Sequence, residues 1–519
     1  MTTVNRALAS IAPLTLLILL CAGAAGCALK DAPRRHIVMA HSQGWAVAPV
    51  KGFDRLTAAQ YDAEIDGIFA EMEGFCKNLR PCQILFYVHG GMNTQTGTVN
   101  RAAETFELIH QSEVYPVFLN WNSSFPSSWW DHLAKVRKGL WSNGNVVISP
   151  YIFASDQLQA LPEAPSAWTA EARHAFPRLG PNNAAVRAYV DLVEKPNGLH
   201  LNDLRGTTDA LLDERSPREK HQAKLLFPLT LLPKILAAPL VVQPWGTGAW
   251  DIMLRRTTML FRTEESFRNH PTAAGAPDTG AAFAYFLKRF QTDFIPRVCP
   301  GQAPRLSAKQ SADVVGLNTR LDEYPLEDCH DTIRLTLVGH SMGAIIVNQA
   351  LREVPQLDVA NVVYMASAST VRDYRDTVLP YMQRHENTQM FHLVLHPRAE
   401  VQEVVAYELA PRGSLLVWID NYFSNPIAPI DRTAGRFYNI AQELRFTDEG
   451  LRERMHLKVF RVGQRTRCWN PQEHSDFGNF PYWDKRFWDP AEPTTSGAPS
   501  RWRDDACAVA PGVPTTLTP

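Results

Sequence analysis

The sequence has almost no charge imbalance: 52 Lys and Arg stand against 53 Asp and Glu, a formal net charge of -1. Without a basic stripe, nucleic acid is not an expected partner. No Cys-x-x-Cys pair and no His-Glu-x-x-His run occurs. Those are zinc-site spacings, so no metal is expected. No internal repeat is evident, which sets aside solenoids and propellers. Beyond the N-terminus no uninterrupted apolar stretch reaches the roughly 20 residues that span a bilayer. The strongest candidate, Leu225 to Val242, is broken by Pro228, Pro233, Lys234 and Pro239, and each interior proline costs a helix about 3 kcal/mol.

What is present is ample apolar material. The chain has 519 residues, 45% of them hydrophobic and 20% charged, enough for a large core or a core plus a sizeable insertion. The 13 Trp and 37 Pro favour long ordered connections over disorder.

The first residues read as a targeting segment. Arg6 precedes an apolar run from Ile11 to Leu20, then small residues from Ala22 to Gly26, then Cys27. That order reads as a secretory signal. Ala24-Ala25-Gly26-Cys27 also resembles the bacterial lipobox. The resemblance implies cleavage before Cys27, acylation of its thiol and membrane attachment through that lipid anchor. Ala28 at the next position implies, on the same resemblance, the outer rather than the inner membrane. Six further cysteines remain: Cys76, Cys82, Cys299, Cys329, Cys468 and Cys507. In an exported chain an even count points to disulfides. Sequence proximity favours Cys76 with Cys82, Cys299 with Cys329, and Cys468 with Cys507.

Short apolar runs read as buried strands over Gln83 to Val88, Tyr115 to Trp121, Ile333 to Val338, Asn361 to Met365, Met390 to Leu395 and Leu457 to Val462. Little polar alternation fits strands covered on both faces. Helical spacing appears over Asn100 to Ser112 and Ala344 to Val354. The expected fold is therefore α/β, a mostly parallel central sheet with helices on both faces. A connection from Asn122 to about Thr332 is too long for a plain crossover and predicts an insertion. Within it, Glu194 to Lys224 reads as polar surface loop. The apolar segment 225–243 reads as a cap or as a surface that meets lipid. The expected organisation is a signal peptide over 1–27, core over 36–122, cap over 123–300, core over 301–490 and a tail over 491–519.

The chemistry gathers in Leu335-Thr-Leu-Val-Gly-His-Ser341-Met-Gly343-Ala-Ile-Ile-Val. A strand runs into Gly-x-Ser-x-Gly and a helix runs out. A serine there sits on a tight turn with its hydroxyl above the sheet, and the helix N-terminus favours developing negative charge nearby. Upstream stands Ile84-Leu-Phe-Tyr-Val-His89-Gly90-Gly91-Met92-Asn93. Together these segments resemble the α/β-hydrolase superfamily, in its bacterial esterase and lipase-like branch. The Met-Asn after His-Gly-Gly departs from the triple-glycine type.

The resemblance implies Ser341 as nucleophile and backbone amides of Gly91, or second Met92, with Met342 as an oxyanion hole. His89 and His340 are then structural. The order nucleophile, acid, histidine leaves His385, His392, His396, His456 and His474 after Ser341. His474 lies in the loop where the superfamily places its base. Glu400 aligns best as the acid, with Asp420, Glu403 and Asp373 as alternatives. The implied activity is that of a serine carboxylesterase or lipase acting on ester or lipid substrates through an acyl-enzyme, with no cofactor. A thioesterase or acyltransferase would use the same groups, and a membrane-anchored lipoprotein using the fold only for binding is the non-enzymatic alternative.

Overall fold

The computed structural model describes residues 33–109, 112–137, 140–141, 145–165, 167–169, 200–202, 238–262, 281–299, 332–403, 411–460 and 471–489. Cys27 with its leader, residues 203–237 of the insertion, Cys329, Cys468, Cys507 and the tail over 491–519 lie outside them.

Seven strands form a parallel sheet: β1 (Ile37–Ala40), β2 (Cys82–Val88), β3 (Val114–Trp121), β4 (Ile333–His340), β5 (Asn361–Met365), β6 (Gln389–Leu395) and β7 (Met455–Phe460). Their order is β1-β3-β2-β4-β5-β6-β7. The strands are nearly all buried and mostly apolar, as a sheet covered on both faces requires. β1 was not anticipated; four residues are too short a run to stand out in sequence. His200–Asn202, inside the segment read as loop, adds a short parallel strand beside β7.

Adjacent residues of β2 show how the two faces are filled, since side chains alternate along a strand. Phe86 packs against Phe286 and Phe290, which in turn meet Phe69 of α1 (Ala58–Cys76). Tyr87 faces the other way and stacks on Tyr482. Helix α2 (Gln95–Ile109) begins five residues before the expected Asn100, because Thr94 caps it: its hydroxyl accepts the Gly97 N–H. Cys76 and Cys82 form a disulfide that ties the end of α1 to the start of β2. Cys299 is disulfide-bonded as well.

The described parts of the long connection pack back on the body. Helix α3 (Phe125–Ala134) lies against α5 (Gln243–Met259). A buried ion pair, Arg256 Nη2 to Asp131 Oδ2 at 2.6 Å, joins them, and Arg256 Nη1 also reaches the Asn122 carbonyl at 3.2 Å. Between them in sequence comes α4 (Ser149–Ala160). Helix α6 (Ala282–Arg289) carries Phe286 onto the sheet. Of the apolar segment 225–243 only 238–243 is described; it leads directly into α5. Among the described residues no helix is long and apolar enough to cross a membrane.

The strand order locates a crevice. From β2 the chain moves outward to β3, whereas from β4 it moves the opposite way to β5. Connections that diverge this way leave an opening at the C-terminal ends of the two middle strands, where α/β sheets place ligands. His89-Gly90-Gly91 and Ser341 are the segments at those two ends.

Candidate active site

Ser341 occupies the turn between β4 and α7 (Gly343–Glu353). Its φ is +53°, a conformation few non-glycine residues hold. The surroundings impose it. Ser341 N–H donates to the Met365 carbonyl at 2.9 Å, and its own carbonyl accepts Ala368 N–H at 2.9 Å. A Cβ at Gly339 would stand 2.7 Å from Ala344 backbone atoms, and one at Gly343 would overlap the Val88 carbonyl. The flanking glycines are therefore demanded by backbone contact.

His474 opens a helical turn, His474–Asn479, capped by Asp476, whose carboxylate accepts the Gln472 and Glu473 N–H groups at 3.0 Å. Its Nε2 lies 2.9 Å from Ser341 Oγ, between residues 133 positions apart. Burial first, then the neighbouring His340 ring, hold the His474 imidazole well below its ordinary range. A neutral ring accepts a proton from the hydroxyl. If Nε2 accepts, the ring hydrogen sits on Nδ1, and His474 Nδ1 is buried with no hydrogen-bond partner among the described residues. His340 donates from Nε2 to the His474 carbonyl at 3.1 Å and so fixes that backbone. Burial pushes the His340 pKa down to about 4, so this ring also stays neutral.

The acidic candidates separate cleanly. Glu403 Oε2 accepts the backbone N–H of His474 at 2.8 Å. Glu400 Oε2 instead takes the Ser414 hydroxyl at 2.6 Å and stands 4.0 Å from Arg436 Nε. Asp420 is held by Thr433 N–H at 2.8 Å, Arg436 Nη1 at 2.8 Å and Asn439 Nδ2 at 3.1 Å. Asp373 sits in the first turn of α8 (Val371–Arg384), bound by Asn348 and Arg352, both at 2.5 Å. Of the four, the structure gives a direct bond to His474 only to Glu403, and that bond is to its main chain. Burial raises both glutamates: Glu400 to about 7, moderated by Arg436 and Ser414, and Glu403 to about 8, moderated by the His474 amide.

The other histidines after Ser341 are spoken for by the core. His385 stacks on Tyr381 and bonds to the Pro355 carbonyl. His392 lies edge-on to Tyr364 and Tyr374, and His456 stacks on Phe391. His396 is buried beyond the end of β6.

At the end of β2, Gly90 lies so close to the nucleophile that a Cβ there would come within 2.8 Å of Ser341 Cβ. The Met92 amide is already used: it donates to the Ser123 carbonyl at 2.8 Å. That removes Met92 from the expected oxyanion donors. Among the described residues the Gly91 and Met342 amides donate to no acceptor. His89 is a strut, with Nε2 accepting Trp121 N–H at 3.1 Å. One neighbour carried no signal in sequence: Met253 of α5 reaches Gly91, where a Cβ would meet its Cε at 2.7 Å. Only folding brings residues so distant together.

Among the described residues no group of three or more His, Cys, Asp or Glu is placed to hold a metal ion. What the site assembles is a buried hydroxyl, a neutral imidazole in contact with it, and two uncommitted amides nearby. No protein-family model, curated protein or solved structure matches the chain.

Proposed function

We propose that the protein is a serine hydrolase of the α/β-hydrolase type, cleaving carboxylic esters through an acyl-enzyme on Ser341. One observation carries this reading: the 2.9 Å contact between Ser341 Oγ and His474 Nε2, made on a positive-φ turn at the point where the strand order reverses. Ser341 Oγ attacks the ester carbonyl and His474 takes its proton. The tetrahedral oxyanion rests on Gly91 and Met342 N–H, each such donor contributing about 2.7–4 kcal/mol. His474 then gives its proton to the leaving alcohol, and a water activated by the same ring releases the acid.

The ring needs a carboxylate on Nδ1 to hold its tautomer and stabilise its charged form. Glu403 is the better placed candidate, because its carboxylate is already bound at the His474 backbone. Glu400, first in the sequence reading, is engaged by Ser414 instead.

A fluorophosphonate probe tests the reading. Wild type is labelled and Ser341→Ala is not; an unlabelled, inactive wild type would overturn it. A panel of acyl esters of increasing length then measures the substrate class. We further propose attachment to a membrane through acylated Cys27. Metabolic labelling with an alkyne fatty acid should mark wild type and spare Cys27→Ser.

A further inference from the structure

We infer that Asn93 is a positioning residue that orients the Gly90–Gly91 peptide, and with it the Gly91 N–H, for oxyanion binding. The inference rests on the hydrolase reading. It concerns the position where the sequence leaves the triple-glycine pattern.

Asn93 Nδ2 donates to two successive carbonyls, Gly90 and Gly91, each at 3.0 Å. A primary amide has two hydrogens, one for each. The Gly90 oxygen also accepts the Ser123 hydroxyl at 3.1 Å and His89 Nδ1 at 2.7 Å. The His89 tautomer follows from its partners, because Nε2 accepts the Trp121 N–H and the ring proton must sit on Nδ1. Asn93 is itself anchored on the segment after β3. Its N–H donates to Ser123 Oγ at 3.1 Å, and its carbonyl accepts Ser123 N–H at 3.2 Å.

A trans peptide is planar, with N–H and C=O on opposite edges. Holding the Gly90 oxygen therefore fixes which way the Gly91 N–H points. This hold matters because glycine flanks the peptide on both sides. With no Cβ at either residue, φ and ψ of both signs are open and the plane can turn over at little steric cost. The glycines are still required, since Gly90 lies against Ser341 and Gly91 against Met253 and Met342. The backbone freedom that close approach demands is removed by side-chain hydrogen bonds.

Asn93→Asp tests this, because aspartate has nearly the same shape and no N–H to donate. Steady-state kinetics on a soluble ester should show kcat lowered about tenfold or more, short of the roughly 10²-fold of a fully lost oxyanion donor because Ser123 and His89 still hold the Gly90 oxygen, with KM within about threefold. Affinity for a boronic acid that mimics the tetrahedral adduct should fall by a similar factor. Asn93→Ser, with a single donor, should fall between. If Asn93→Asp fails to fold, Asn93→Ala, checked by circular dichroism, carries the same expectation. An active wild type alongside a folded Asn93 variant of unchanged kcat would overturn the positioning role alone. An inactive, unlabelled wild type would overturn the hydrolase reading and this inference with it.

Discussion

The two sides of the His474 ring are built to different standards. On the Nε2 side every constraint is met. The glycines at 339 and 343 admit backbone contact, Ser341 is held at φ +53°, and the hydroxyl stands 2.9 Å away. On the Nδ1 side the buried ring nitrogen has no hydrogen-bond partner among the described residues, while the partly buried Glu403, bonded to the His474 main chain, and the buried Glu400 have raised pKa values. The difference follows from what positions each group. Ser341 is placed by main-chain contacts between adjacent strands, which leave no alternative. The glutamates lie on or just after a short helix, α9 (Pro397–Gln402), beyond β6, and their side chains choose among several donors. An unsatisfied buried N–H costs about 1–3 kcal/mol, so a carboxylate that turned to meet it would stabilise the ring.

The largest effect is expected on the complete side. Ser341→Ala should lower kcat by about 10⁶-fold, the scale seen when a triad nucleophile is removed, with circular dichroism unchanged. Retained hydrolysis would place the chemistry elsewhere. On the incomplete side, Glu403→Gln should cost about 10⁴-fold in kcat, because the imidazole loses the group that sets its tautomer. Glu400→Gln should cost less than about tenfold. The reverse ranking would return the role to Glu400.

Acidity sharpens the same contrast. Glu403 must be ionised to serve His474, and its pKa is raised to about 8. Below that value kcat/KM should therefore rise about tenfold per pH unit, and Glu403→Gln should abolish the rise. A flat profile between pH 6 and 8 would break the assignment.

Stability should follow its own curve. His89, His340 and His474 have pKa values depressed by burial. Their stabilisation is present above the ordinary 6.5 and is lost as pH falls below it, since the unfolded chain then binds more protons. The two glutamates are raised. Their contribution is complete below the ordinary 4.5 and is lost as pH rises through about 7 and 8. Thermal unfolding should thus show a maximum near pH 6–6.5, declining on both sides. In the Glu400→Gln, Glu403→Gln double variant the alkaline decline should be smaller. Asp420→Asn should have the smallest effect on activity, within about threefold. It should lower the melting temperature, because Arg436 and the Thr433 amide lose a charged acceptor.

Much of the fold was legible because buried parallel strands advertise themselves. Asn361–Met365 matches the expected run at both ends; the runs from Gln83, Tyr115 and Met390 begin one residue earlier, the run from Ile333 continues two residues further to His340, and the run from Leu457 begins two residues earlier, at Met455, and ends at Phe460, with residues 461–462 outside the described ones. β1 was not legible, since Ile37–Ala40 is no longer than many apolar quartets that never become strands. The start of α2 was missed because Gly97 interrupts the helical pattern and only the Thr94 cap overrides it.

At the site, legibility divides by range. The local pattern around Ser341 singled out the turn, and chain order singled out His474, because both depend on sequence position. Glu400 against Glu403 was not decidable that way. Three residues apart on one short segment, they differ only in which donors surround them, Ser414 for one and the His474 amide for the other. Motif position makes Met92 an oxyanion donor, yet the Ser123 carbonyl, 31 residues on, takes its N–H.

The sequence alone determined what main-chain sterics and hydrophobic pattern control: a parallel α/β sheet, a tight turn bearing Ser341, and the glycines that turn requires. Tertiary structure decided the distance from Ser341 to His474, the occupation of the Met92 amide and the reach of Met253 into the crevice. It alone set which glutamate meets the histidine. The physical reason is range. A turn is specified by neighbours along the chain, whereas hydrogen-bond partners and burial are set by groups that only folding brings together.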